Sequence, residues 1–412
     1  MARSGPVLSS RVVEAGSPVP ASRSSADRPA FRGDVEGLRA VAVGLVFLFH
    51  ADVPLVGAGG LIGVDVFFVI SGFVITGLLV REIERTGRIA LADFYARRAR
   101  RILPSAAFVV LVVLGVTALT GTAAEKDHTG EDALATSLQV TNWHFLSFDL
   151  DRLAPRADES PLLHYWSLAV EEQFYIVWPL LMIAALALAR RRGLSWKRAL
   201  VIGSVGLSAA SLALSVVLTY QHNLTGYLAS PTRFFEFGAG ALLAIGATRT
   251  ARWATAARGP AAGNVLGWAG VVLVVLGLAL TPRFPFPGFI ALLPALGGAA
   301  LILAGGLTTG RWSVPWLLGL PPVRFLGRIS YVWYLWHVPL TAWAVQVAGR
   351  SEWWFVLAVE LVAVVPAYLT SVLVERPFRH APVFAASPAR GLALGGVLTL
   401  VVAAAAGALI AF

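Results

Sequence analysis

Arg39 and His50, at opposite ends of the apolar run RAVAVGLVFLFH, are the first residues in this chain whose types and spacing could do chemistry. On a helix, eleven residues make about three turns, so both side chains leave nearly the same face, about 16 Å apart along the axis. An imidazole titrates near neutral pH, which suits it to take a proton from a hydroxyl as a general base. The competing reading is a snorkelling arginine and a satisfied interior histidine.

Further ionisable groups fall where lipid-exposed segments exclude charge, and such positions are functional candidates by default. Asp65 stands near the start of GLIGVDVFFVISGFVITGLL, either as an interfacial acid at a helix start or as the group that orients His50. In the same stretch Ser71 and Gly72 are small enough for close helix approach, and Ser71 is also a candidate substrate contact. FYARRARRILP carries Arg97, Arg98, Arg100 and Arg101. Its R-x-x-R spacing stacks guanidinia on one face, which suits a phosphorylated ligand arriving from the cytoplasm, while positive charge there also serves topology.

LLHYWSLAVEEQFYIVWPLL sets Glu171 and Glu172 about a turn and a half into an apolar run, beside Gln173 and Tyr175. Carboxylates at that depth need a histidine or arginine from another helix. Arg233 and Glu236 read as an i,i+3 ion pair and are kept, with Tyr175 and His337, as candidate substrate contacts. His337 sits among aromatics in SYVWYLWHVPL, and Glu360 is isolated in a later apolar run with no partner that the sequence names. His128, His144, His164, His222 and His380 fall in loops or at interfaces and carry little weight. The chain has no G-x-x-x-x-G-K-[ST], no G-x-S-x-G and no H-E-x-x-H. ATP-driven transport and zinc hydrolysis therefore lose support, and no metal is expected.

The elements that hold these residues follow from composition. Of 412 residues 57% are hydrophobic and only 14% charged, and the mean hydropathy is +0.73, which points to a polytopic membrane protein. The net charge of +10 lies in short clusters between apolar runs, which fits the positive-inside rule better than a nucleic-acid face. With no cysteine, disulfide and thiolate chemistry are excluded.

Residues 1–35, rich in Ser, Pro, Ala and Arg, read as a disordered cytoplasmic tail. About 20 apolar residues span a bilayer, and eleven stretches qualify: 38–56, 61–80, 102–121, 166–188, 199–219, 233–248, 263–281, 288–308, 328–347, 353–374 and 391–411. The basic loops 81–101, 190–198, Arg249/Arg252/Arg258, 309–328 and 375–380 then all fall on one side, which sets the amino terminus inside. The expected fold is an all-α, polytopic transmembrane bundle of about eleven spans. Residues 36–380 are expected to form a ten-span domain, followed by an additional helix in 381–412.

The ordered segments VEGLRAVAVGLVFLFHA, GLIGVDVFFVISGFVIT, FYARRARRILP, LLHYWSLAVEEQFYIVWPL, RFFEFGAGALLA, RFLGRISYVWYLWHVPL and VERPFR resemble the integral-membrane acyltransferase family 3. The resemblance covers roughly residues 31–380. It implies transfer of an acyl group, commonly acetyl, from cytoplasmic acyl-coenzyme A to hydroxyls of sugars, surface glycans or small products. It further implies a catalytic role for His50 in the family's R-x10-H pattern with Arg39, and donor binding by Arg98 and Arg101. Glu171, Glu172 and His337 match its VEEQFY and YLWH elements. Glu36 stands where the family commonly has Asp, and the chain ends without the extracytoplasmic hydrolase-like domain that many relatives carry.

The implied mechanism has the arginines of 97–101 hold coenzyme A phosphates while His50, oriented by Asp65, Glu171 or Glu172, deprotonates the acceptor hydroxyl. An acylated histidine is the alternative route. The expected setting is the inner (cytoplasmic) membrane, with acyl-coenzyme A, a hydroxyl-bearing acceptor and the bilayer as partners and no nucleic acid. The long loop 122–165 is expected to shape the acceptor site. A transporter or flippase is the rival class. It would show inverted repeats with matching broken helices, and no convincing pair is present.

Overall fold

The computed structural model describes residue 1 and residues 32–148, 160–221, 223–247 and 259–411. The expected tail (1–35) and the Arg249/Arg252/Arg258 loop therefore lie largely or wholly outside the described residues. Among the described residues there is no strand, and twelve long helical segments make the structure.

Helix α1, Gly33–His50, opens with Asp34 and Glu36 in its first turn, where carboxylates complement the helix dipole. It stops at His50, six residues before the predicted end of its span. Pro54 disfavours helical geometry at Val53, and Asp52 and Leu55 take positive φ values of 47° and 72°. A 3-10 turn, Gly57–Ile62, leads into α2, Gly63–Thr86, which closes on Gly87 in the left-handed conformation.

Helix α3 spans Leu91–Thr120, so the arginine group lies in its second and third turns and not ahead of a span beginning at 102. Glu82 accepts a hydrogen bond from the Ala90 amide at 2.7 Å and fixes that early start. The loop predicted at 122–165 contains a further helix, α4, Ala123–Ser137, which begins with a Thr122/Glu125 capping box.

The remaining segments are α5 (Tyr165–Arg191), α6 (Trp196–Gln221), α7 (Ser230–Ile245), α8 (Gly259–Leu280), α9 (Leu292–Leu307) and α10 (Pro321–Ala348). An interrupted α11 (Trp353–His380) and α12 (Pro388–Ala411) complete the set. Each of the eleven predicted spans contains a helix. Seven helical segments are long and apolar enough to cross a membrane by length and composition, and Leu292–Leu307 is a shorter apolar helix. Helices α1, α7 and α10 fall outside those seven, and they carry Arg39, His50, Arg233 and His337. The protein is thus a polytopic helical membrane bundle, with Arg233 and His337 buried within it.

Glycines set the closest approaches. A Cβ on Gly72 would lie 1.9 Å from the Phe237 carbonyl oxygen, and one on Gly240 the same distance from that of Val69, so α2 and α7 touch backbone to backbone. Between α1 and α10 the equivalent contact is Gly327, whose added Cβ would meet the Glu36 carbonyl oxygen at 1.7 Å. Helix α12 packs on α3 and α4, and α8 on α9.

Beneath these contacts lies a buried charge cluster. Arg233 is fully buried, 3.1 Å from Asp65 on α2 and 3.1 Å from Glu236 on its own helix. Phe68, Tyr227 and Phe286 surround its guanidinium at 5.3–5.8 Å. This arrangement ties α2 to α7, as expected of a structural ion pair, and it engages Asp65 there.

Candidate active site

The arginine pattern resolves into two fates. Arg98 and Arg101, three residues apart on α3, line one wall of a pocket of about 670 Å³ together with Arg39 from α1. Arg97 is instead exposed and pairs with Glu82 at 3.6 Å, and Arg100 is not among the lining residues. Opposite stand Glu171, Glu172 and Tyr175 of α5 and Ser71 of α2.

Arg98 lies 3.4 Å from Glu172, and its guanidinium sits 3.7 Å from the centre of the Tyr175 ring. Ser71 and Tyr175 both donate to Glu171. Arg39 donates to Ser330 on α10 at 3.1 Å. Every carboxylate in this wall therefore already has a donor, and Arg101 adds a further cation to the lining. A low-dielectric cavity with three guanidinia suits phosphate-bearing ligands.

The 122–165 segment does reach this pocket, through Gln139. Gln173 donates to the Gln139 carbonyl at 2.8 Å and to the Asn142 side chain at 2.9 Å, which pins that segment to α5.

A second pocket of about 420 Å³ shares Arg39, Leu168, Glu171 and Tyr331 with the first and continues to Ser167 and Tyr334. There the hydroxyls of Ser167 and Tyr334 are 2.8 Å apart, and Tyr334 also donates to the His164 carbonyl at 3.1 Å. Three histidines converge just beyond. His337 has its ring centre 4.9 Å from that of His50 and 5.1 Å from that of His164, and Tyr334 lies 4.9 Å from His337.

His337 and His164 are buried, and His50 is partly exposed at the end of α1. Nδ1 of His50 donates to the Val46 carbonyl at 3.0 Å, and Nδ1 of His337 to the Tyr334 carbonyl at 2.5 Å. A carbonyl only accepts, so each neutral ring carries its proton on Nδ1 and keeps a lone pair on Nε2. Glu360 of α11 lies beside both rings. One ligand atom from each of His50, His337 and Glu360 lies within 4.8 Å of the others, a set that could hold a divalent cation or a proton.

Of the carboxylates predicted to orient His50, none is placed against it. Asp65 pairs with Arg233, Glu171 with Ser71 and Tyr175, and Glu172 with Arg98. The structure brings Arg39, Arg98, Arg101, Ser71, Glu171, Glu172 and Tyr175 together, and His50 with His337. It sets Arg233, Glu236 and Asp65 apart as the charge cluster already described.

Sequence reasoning gave His164 little weight, named Glu360 without a partner, and passed over Ser167, Tyr331 and Tyr334. His164 stands seven residues, two helical turns, before Glu171, and that interval was the available signal. For Glu360 the chain offered only its depth in an apolar run.

Fold and site together define a multi-pass membrane protein with an arginine-lined pocket and, beyond Tyr334, a cluster of three histidines. The sequence model of one family, described as an acyltransferase domain, matches residues 32–374. The chain therefore belongs to the integral-membrane acyltransferase family 3.

Among curated relatives, "Peptidoglycan O-acetyltransferase OatA" of Listeria monocytogenes is 29% identical over 352 residues, which cover 84% of this chain and 55% of that protein. "Putative peptidoglycan O-acetyltransferase YrhL" of Bacillus subtilis is 30% identical over 355 residues, 84% of this chain and 54% of that protein. "Putative O-acetyltransferase SACOL0978" of Staphylococcus aureus is 27% identical over 356 residues, with 84% and 57% covered. The chain thus spans about half the length of the curated relatives it matches. No solved structure matches it.

Proposed function

We propose that this protein is an O-acetyltransferase of the cytoplasmic membrane that moves an acetyl group from acetyl-coenzyme A to a hydroxyl of a cell-surface glycan. Peptidoglycan is the first acceptor to test, because two of the relatives above are named for it. The observation that carries the proposal is the pair of adjoining pockets, with Arg39, Arg98 and Arg101 at one end and His50, His164 and His337 beyond the other.

In this reading Arg98 and Arg101 hold phosphate oxygens of the donor, and Arg39 narrows the passage beside Ser330. The thioester lies along Ser167 and Tyr334. His50, whose Nε2 lone pair is free, accepts the proton of the acceptor hydroxyl as its oxygen attacks the thioester carbonyl. The carbon–sulfur bond then breaks, and the departing thiolate takes the proton back from His50.

Family membership favours this enzyme reading over a flippase. The test is transfer of labelled acetyl from acetyl-coenzyme A to a glycan acceptor by the purified protein in vesicles. His50→Ala should abolish transfer while donor binding persists, and the Arg98→Ala/Arg101→Ala double variant should weaken donor binding. Full activity in the histidine variant would sink the assignment.

A further inference from the structure

Glu360 is a buried group near the histidines that the proposed reaction leaves without a task. It is fully buried on α11, and neither of its carboxylate oxygens has a hydrogen-bond partner among the described residues. Nε2 of His337 is likewise buried without a partner. A ring nitrogen from each of His50 and His337 and a carboxylate oxygen therefore converge within 4.8 Å.

Such a set is costly in a low-dielectric interior unless a proton or cation sits among its members. Its placement is also held firmly. The Trp333 indole N–H donates to the Glu360 carbonyl at 2.8 Å, and Trp333 packs edge-on against Phe47 of α1 at 4.8 Å. The Trp336 indole makes a second tie from α10 to α11, through Thr370 at 3.0 Å. The groups facing Glu360 are His50 from α1 and His337 from α10, with His164 beside His337 at the start of α5.

We propose that Glu360 is the positioning residue of the transfer reaction: its carboxylate stabilises the imidazolium that forms when His50 accepts the acceptor's proton, with His337 completing the proton-holding centre. This rests on the reading of His50 as the general base. With the carboxyl ionised and both imidazoles neutral, the three groups together carry one negative charge. When the acceptor's O–H bond breaks and an N–H bond forms on His50, that charge is neutralised, so proton capture creates no isolated cation inside the bundle. The proton then leaves with the coenzyme A thiol, and the centre returns to its starting state. Without the carboxylate the same step would place an uncompensated imidazolium in an apolar surround.

The experiment compares Glu360→Gln, Glu360→Asp and His50→Ala in the full chain, purified in vesicles, by steady-state acetyl transfer and by the metal content of each preparation. An opposite charge at this range is worth one to three pH units of proton affinity, so Glu360→Gln should lower kcat by about 10- to 1,000-fold and leave KM for acetyl-coenzyme A within about twofold. Glu360→Asp, which keeps the charge, should restore part of kcat.

Wild-type kcat in Glu360→Gln, with His50→Ala inactive, overturns this inference and leaves the function intact. Activity in His50→Ala overturns the function itself. A stoichiometric divalent metal in the wild type that Glu360→Gln loses, with activity abolished by a chelator, also overturns it in favour of a metal centre. If Glu360→Gln does not fold, Trp333→Phe frees the Glu360 backbone without touching its charge. That variant should also lower kcat with KM preserved, and an unchanged kcat overturns the proposal.

Discussion

At the scale of single residues, neighbouring arginines of one helix have unlike surroundings, and chemistry follows the surroundings. Arg98 is held on two sides, by the Tyr175 face at 3.7 Å and by Glu172 at 3.4 Å, while Arg97 is exposed against Glu82. A lysine at 98 keeps the charge but loses the planar stack and the forked donors. Arg98→Lys should therefore raise KM for acetyl-coenzyme A about tenfold, a loss near 1.4 kcal/mol, with a smaller change in kcat. Arg97→Ala should leave KM within about twofold, because a half-exposed ion pair contributes little. Equal effects of the two substitutions in the same titration would contradict the division of the arginine group.

Arg233 poses the opposite case, since no solvent screens it. Replacing it with methionine leaves Asp65 and Glu236 buried and uncompensated, at a cost of about 3–5 kcal/mol. The thermal midpoint in detergent should fall sharply for Arg233→Met. Adding Asp65→Asn and Glu236→Gln should recover much of the loss, and no recovery would show that Arg233 does more than balance charge.

Between residue and molecule stand the helices, and here the sequence was most legible and also misled. Every predicted apolar run contains a helix, because a bilayer demands about 20 consecutive apolar residues whatever the function. Their ends were harder to read. Pro54 and the glycines after it end α1 at His50, so the histidine sits at a helix terminus and not within a span. The start of α3 was hidden because its first turns, rich in arginine, look like a loop to any hydropathy argument, although they are helical and face a pocket.

The site was legible in its residue types but not in its pairings. His50 lies 287 residues before His337, and Glu360 is on a third helix, so only packing reveals which carboxylate meets which imidazole. That packing depends on Gly327, where α1 and α10 approach until an added Cβ would overlap the Glu36 carbonyl at 1.7 Å. Gly327→Ala should force the helices apart, cost roughly 1–3 kcal/mol in stability, and lower kcat by moving His337 away from His50. A variant with wild-type melting and wild-type kcat would show that the contact is not needed to form the site.

For the whole molecule, orientation decides which substrate comes from which side. The basic loops argue that residues 81–101 and 190–198 face the cytoplasm. The donor pocket would then fill from inside, while His50, three turns further along α1, lies nearer the opposite face, where a surface glycan would arrive. The chain has no cysteine, so single introduced thiols report sidedness without background. Arg88 and Ser195 are exposed in the basic loops, and Ala124 and Ser351 are exposed in connections of the opposite set.

In intact cells a membrane-impermeant maleimide should label Ala124→Cys and Ser351→Cys. It should reach Arg88→Cys and Ser195→Cys only after the membrane is opened. The reverse pattern would invert the bundle and place the arginine pocket on the face away from cytoplasmic acetyl-coenzyme A, which removes the source of the donor. Mixed labelling within either pair would mean that one of the helices between them does not cross. Since α7 and α10 stand at predicted spans but fall outside the seven segments long and apolar enough to cross, they are the crossings that this measurement tests most severely.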